Sequence, residues 1–175
     1  MTKDNSMTVP SAVDAGAVDG AATQRFVTCA IDGEMYAVPV QSVREVVRWM
    51  PVTRIPHGAP SVKGVINLRG EIVPLIDLRI HLGLPETTPS DRTCIIVISM
   101  QRDGAKLQAG LIVDAALEVI RVATSEIEGG HDALPGKSGR HLTGIVQAKG
   151  ALIILLACES LVRDALFPAT IETAA

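Results

Sequence analysis

Aromatic residues make up only 2% of this 175-residue chain: one Trp, one Tyr and two Phe. That leaves almost no platform on which nucleobases could stack. Acidic residues also outnumber basic ones, 19 to 16, for a net charge of -3, so the chain lacks the cationic excess that neutralises phosphates. Nucleic-acid binding is excluded from the expected functions. Cysteine is scarce as well. Cys29, Cys94 and Cys158 are odd in number and far apart, without the paired spacing of a zinc site or the density of a disulfide framework. Each borders an apolar run, where a thiol behaves as a small buried hydrophobe. Long apolar stretches are missing too: the longest, Ala151 to Cys158, has the length of a strand rather than of a membrane span. The opening MTKDNSMTVPSAVDAG has neither an apolar signal core nor a basic amphipathic pattern, which predicts a cytoplasmic location.

What is abundant is branched aliphatic carbon. Hydrophobic residues are 47% of the chain, among them 19 Val and 16 Ile. Side chains branched at Cβ are stiff at χ1 and suit a pleated surface, so the composition favours strands. Residues 1–23 are rich in Ala, Gly, Ser, Thr and Asp without apolar periodicity and are expected to form a tail, as are 169–175, leaving one ordered unit over 24–168. Phe26–Ile31 and Glu34–Val38 flank Asp32-Gly33, a hairpin signal. The apolar spacing at 40, 43, 46 and 47 predicts a short helix carrying Glu45. A brief strand is expected over Val52–Ile55. Two more follow at Val65–Leu68 and Ile72–Ile76 about a turn at Arg69-Gly70-Glu71, then a helical turn or two over Asp77–Leu82. Thr93–Ser99 and Leu107–Val113 enclose a polar turn over Gln101–Lys106. Leu117–Val122, a loop over Glu128–Arg140, a hairpin of Leu142–Gln147 and Ala151–Leu156 across Lys149-Gly150, and a closing helix Glu159–Phe167 with Leu161, Val162, Leu166 and Phe167 inward complete the pattern. Some nine or ten short strands indicate an all-β sandwich or barrel, one or two units being equally compatible.

No catalytic constellation emerges. His57, His81, His131 and His141 stand singly, without metal-ligand spacing, and the glycines form no phosphate loop or dinucleotide fingerprint. Glu126 and Glu128 fit a solvated loop edge. The chain is therefore not expected to be an enzyme or to hold a metal or cofactor. Two polar residues, Asn67 and Arg69, lie where an apolar strand enters a turn. Such an arginine either projects into water or needs a partner, for which Glu45 is a candidate. Asp114, after Leu111-Ile112-Val113, raises the same question, or it caps the next turn.

At these residues the chain resembles the CheW family of chemotaxis coupling proteins. The strongest element is Val62 to Arg79, VKGVINLRGEIVPLIDLR, similar to a family signature of G-V-x-N-L-R-G running into V-P-x-x-D-L-R. Tyr36-Ala37-Val38-Pro39-Val40 and Val43-Arg44-Glu45-Val46 precede it. Gly110 to Asp114, Glu118-Val119, Leu142-Thr143-Gly144 and Leu152–Leu156 follow in order, so the resemblance covers about Phe26 to Phe167. Ala157 departs from it, standing where the family often has Asp or Asn. The resemblance implies two small five-stranded β-barrels packed about a shared hydrophobic core, with short helices and no catalysis. It implies a scaffold that links the cytoplasmic tips of methyl-accepting chemoreceptors to the regulatory domain of the histidine kinase CheA, touching the membrane only through receptors. Carried over by motif position, Val43, Glu45, Gly64, Asn67 and Arg69 would bind or support these partners, Glu45 and Arg69 as a structural ion pair or a surface contact near the binding region, and Val43 and Gly64 bordering the receptor-facing surface. An adaptor of the same type serving twitching motility or second-messenger output is the alternative. A small-ligand-binding or hydrolytic β-barrel enzyme is the rival from another class.

Overall fold

The computed structural model describes residues 6–7, 22–129 and 140–168; His131 lies outside them. Twelve strands are described: β1 Ser6–Met7, β2 Thr23–Ile31, β3 Glu34–Pro39, β4 Val43–Arg48, β5 Val62–Leu68, β6 Glu71–Asp77, β7 Cys94–Arg102, β8 Ala105–Val113, β9 Ala115–Ala123, β10 Glu128–Gly129, β11 Leu142–Ala148 and β12 Ala151–Leu156. Two α-helices are described with them, α1 Leu78–His81 and α2 Cys158–Leu166. Four hairpins turn on two residues with positive φ, Asp32-Gly33, Arg69-Gly70, Asp103-Gly104 and Lys149-Gly150, the geometry that matches strand twist.

The strands form two six-stranded sheets, β1-β4-β7-β8-β6-β5 and β10-β11-β12-β3-β2-β9. The all-β class is as expected, but the sheets are open, so the two closed five-stranded barrels are corrected. The first sheet, the contiguous lobe, is built from one stretch of chain apart from β1. The second, the split lobe, joins β2 and β3 to β9–β12. Within them β5-β6-β8-β7-β4 and β11-β12-β3-β2-β9 share one plan: a hairpin laid parallel against a second hairpin, with a fifth strand antiparallel at its edge.

Apolar residues on both sheet faces give three cores. Val47, Ile66, Val73, Leu75, Ile95, Val97 and Ile112 fill the contiguous lobe. Phe26, Ala37, Ile120, Val122, Val146, Ile153 and Leu155 fill the split lobe. The largest core lies between the sheets, where Val27, Cys29, Ile31 and Val38 meet Ile76, Leu78, Ile96, Ile98 and Leu111, and α2 seals it with Leu161, Val162 and Ala165. Each such aliphatic side chain contributes roughly 1.5–3 kcal/mol on full burial. Cys29, Cys94 and Cys158 are buried free thiols. Burial pushes the Cys158 thiol up to about 12 and that of Cys29 upward as well, which keeps both protonated and unreactive.

Several local expectations are corrected. Val40–Val47 is not a helix: a 3-10 turn, Val40–Ser42, leads into β4. A register shift between Val43 and Glu45 against β7 inserts one residue, which breaks the alternation of a strand and leaves a spacing that imitates a helix. Val52–Ile55 contributes one bridge, Thr53 to Val65, and Glu128–Gly129 is a strand rather than loop. Strands reach closer to the turns than expected at Arg69-Gly70 and Asp103-Gly104. Phe167 is 44% exposed rather than inward, lying 3.6 Å beneath the Arg102 guanidinium. Within the expected N-terminal tail, Ser6 and Met7 pair with Val47 and Val46. Asp77 caps α1 by accepting from Arg79 N, whereas Ala157 at the start of α2 has no side chain to do so.

Candidate functional site

Glu45, Asn67 and Arg69 come together at one end of the contiguous lobe. Arg69 occupies the hairpin turn at φ 53°, and Asn67 Oδ1 holds that turn by accepting from Gly70 N at 2.9 Å. From there the Arg69 guanidinium crosses to β4. Its Nη1 donates to Glu45 Oε1 at 3.2 Å, and its Nη2 lies 3.1 Å from Glu45 Oε2. The Glu45 side chain is 10% exposed and that of Arg69 54%, so the carboxylate is the desolvated partner. Beside it Arg44 Nη1 reaches Glu71 Oε2 at 2.8 Å and Gln108 Nε2 donates to the same oxygen at 2.7 Å. The hydrogen bond from Arg44, and then that from Gln108, holds the Glu71 carboxyl below its ordinary value. These contacts tie β4 to the β5–β6 hairpin, closing by side chains a curl that strand pairing leaves open.

The other two candidates sit apart. Val43 is half-buried at the start of β4, packed on the shared core. Gly64 lies along β5 at φ +144°, where a Cβ would fall 2.1 Å from Thr53 O and 2.9 Å from Val52 Cγ1. The chain's own backbone thus already occupies the space that a side chain there would need.

A second constellation was missed from sequence. Asp114 does not cap a turn of its own. Its carboxylate accepts from Arg79 Nε at 2.8 Å and Nη2 at 2.7 Å, and from Asp32 N at 2.8 Å. Arg79 Nη1 also reaches Asp32 Oδ1 at 3.3 Å, so the arginine of the D-L-R motif clasps the two lobes together. Arg79 lines a cleft of about 260 Å³ with Trp49, Val52, Lys63, Asp77 and Asp114. His81 and His141 are not isolated either: their Nε2 atoms lie 3.3 Å apart. Among the described residues no three His, Cys, Asp or Glu side chains converge as a metal site, and no helix is long and apolar enough to cross a membrane.

The same pattern recurs in the split lobe. GVINLRG (64–70) in β5 and its turn matches GIVQAKG (144–150) in β11, and REVVR (44–48) in β4 matches LEVIR (117–121) in β9. The register agrees: both hairpins carry a bulge just before the glycine. A Cβ on Gly144 would meet Glu128 O at 2.6 Å, as one on Gly64 would meet Thr53 O. Lys149 Nζ pairs with Glu118 Oε2 where Arg69 pairs with Glu45. Ile72 and Leu152, at matching positions, are 64% and 66% exposed. This repeat is legible as aligned glycines and strand-end cations, a signal hidden by its different side chains between them.

The CheW-like domain model matches residues 25–166. The chain belongs to the CheW family. It is 36% identical over 133 residues to the chemotaxis protein CheW of Bacillus subtilis (strain 168), covering 76% of this chain and 83% of that protein. It is 30% identical over 130 residues to the protein FrzA of Myxococcus xanthus, covering 73% and 76%. The crystal structure of the scaffolding protein TtCheW from Thermoanaerobacter tengcongensis matches with a TM-score of 0.69 at 32% identity, over 77% of this chain and 89% of that one. As a member of the CheW family the chain is a non-catalytic chemotaxis adaptor.

One expected result follows from the Glu45–Arg69 geometry. Arg69→Ala costs about 1–2 kcal/mol, because it takes the guanidinium from a largely buried carboxylate, and Glu45→Ala costs less, because the Arg69 side chain is half in water already. The double change costs less than the sum, with a coupling of about 0.5–1 kcal/mol in urea unfolding, the exposure of Arg69 setting the upper end. Additive single effects would show that the two side chains act independently of each other.

Proposed function

We infer that this adaptor links the cytoplasmic tips of methyl-accepting chemoreceptors to the regulatory domain of the histidine kinase CheA, and that it works in the cytoplasm at membrane-associated receptor arrays. The observation that carries this reading is the paired surface of the two hairpins. The two most exposed large apolar side chains among the described residues, Ile72 and Leu152, fall one on each lobe, on the hairpin whose turn carries the cation of an ion pair. An apolar contact rimmed by charge suits protein docking, and having one on each lobe suits a part that holds two partners at once. Glu45, Asn67 and Arg69 shape the first of these surfaces. Val43 and Gly64 support it through packing.

The test reconstitutes receptor-containing membranes with CheA and measures kinase phosphorylation. Phosphorylation is expected to require receptor and this chain together, and Ile72→Ser or Leu152→Ser is expected to weaken it without lowering thermal stability. Absence of binding to both receptor tips and the CheA regulatory domain at tens of micromolar would overturn the reading. The similarity to FrzA favours one second reading, an adaptor of a receptor–kinase array with another output such as twitching motility. The receptors and kinase that co-purify with the chain separate the two.

A further inference from the structure

His81 and His141 meet where the two lobes join. His81 is the last residue of α1, which follows β6 of the contiguous lobe, while His141 directly precedes β11 of the split lobe. Ser61 and His141 occupy matching positions, each one residue before the bulged strand of its lobe. Ser61 O accepts from Asp77 N, and His141 O from Ala157 N, both at 2.7 Å. The His81 ring stands between these two positions: its Nδ1 is 3.4 Å from Ser61 Oγ and its Nε2 is 3.3 Å from His141 Nε2. The ring centroids are 4.7 Å apart. We propose that this imidazole pair is a proton-sensitive contact between the lobes, closed when both rings are neutral and loosened when either gains a proton.

Between two neutral rings one Nε2 donates and the other accepts. If His81 Nδ1 donates to Ser61, His81 Nε2 is the acceptor and His141 Nε2 the donor, which leaves His141 Nδ1 unprotonated. That atom is buried with no hydrogen-bond partner among the described residues. A proton added there creates a buried donor with nothing to receive it. A proton added instead at His81 Nε2 sets two N–H groups against each other. The first event penalises the folded state with an unmet buried N–H and the second breaks the contact, so both favour the neutral pair.

The surrounding charges do not reverse this. Asp164 of α2, with Oδ2 at 3.6 Å from His141 Nε2, favours a charged ring, while Arg140 opposes it. Arg79, on the same helix as His81, is turned away to Asp114. Burial holds both imidazoles below their ordinary value of 6.5, with His141 adding to the effect on His81. The sign follows from proton counts. The unfolded chain takes up protons near pH 6.5 that the folded one refuses, so the contact contributes fully above that range and its contribution is lost as pH falls through it toward the lower folded values.

The test compares urea unfolding of the full chain with that of His81→Gln, His141→Gln and the double variant between pH 7.5 and 5.5. The folded-to-unfolded ratio of the wild type is expected to fall relative to the double variant by up to about tenfold per pH unit for each imidazole, with the single variants between. In NMR titrations of the wild type both rings should titrate below 6.5, and His141→Gln should raise the value for His81. Parallel pH profiles for the wild type and the double variant would overturn the proposal. If the double variant does not fold, the wild-type titration decides: rings titrating at or above 6.5 overturn the proposal, and rings titrating below it uphold it.

Discussion

Gly64→Ala is expected to lower the stability of the whole domain by about 3 kcal/mol or more, and the melting temperature by about 10 °C. The added Cβ would lie 2.1 Å from Thr53 O and 2.8 Å from Thr53 C, both backbone atoms that no rotamer change can move, at a φ of +144°. Relief requires pulling the segment after β4 away from β5. That breaks the two hydrogen bonds between Thr53 and Val65, at 3.0 and 2.8 Å, and opens the core under Val52. Loss of partner binding in this variant should therefore accompany loss of fold. Differential scanning calorimetry with a pull-down on the same sample checks this. A variant that melts within about 2 °C of wild type yet no longer binds its partner would return Gly64 to a docking surface. Ile72→Ser gives the opposite expectation, since the side chain is largely in water already.

Arg79→Met should cost about 2–3 kcal/mol at neutral pH, because it leaves the Asp114 carboxylate with Asp32 N as the remaining donor of its clasp. Arg79 is the more buried partner, with a side chain 15% exposed against 30% for Asp114, and Met replaces its apolar stem while removing the charge. The effect should shrink in acid. The hydrogen bond from Arg79 holds the Asp114 carboxyl below its ordinary value of 3.8. A depressed folded value means that the pair contributes fully above the unfolded value and loses that contribution as pH falls through the folded one. Urea unfolding at pH 7 and at pH 3 should therefore show a smaller gap between variant and wild type at the lower pH. An equal gap at both would show that the arginine acts through packing alone.

The strands were legible in the sequence because their cause is local: Cβ-branched residues bounded by Asp-Gly, Arg-Gly and Lys-Gly turns. β4 was not, since the extra residue between Val43 and Glu45 disguises a strand as a helix, and only the pairing with β7 reveals it. Of the candidate site, Glu45 with Arg69 could be named from sequence because a charge beside an apolar strand needs a partner. The purpose of Gly64 could not, as Thr53 approaches through the fold rather than along the chain. The Arg79–Asp114–Asp32 clasp and the His81–His141 pair escaped for the same reason. Their members lie on segments remote in sequence, and one charged or titratable residue gives no hint of which distant one it will face.

The interleaving of the lobes governs how the chain acquires its shape during synthesis. β4 to β8 emerge from the ribosome together and pair almost entirely with one another, so the contiguous lobe can close while the rest of the chain is still being made. β2 and β3 emerge before that lobe yet wait longest. Their neighbours are β9 and β12, and the parallel register of Met35 with Ile153 must close a loop that encloses the finished lobe. Pairings so distant in sequence form slowly. Until β12 and α2 arrive, the early hairpin holds Val27, Cys29 and Val38 without their cover. α2 is made after every described strand, so a chain cut short before it leaves the shared core open on the side that α2 would seal.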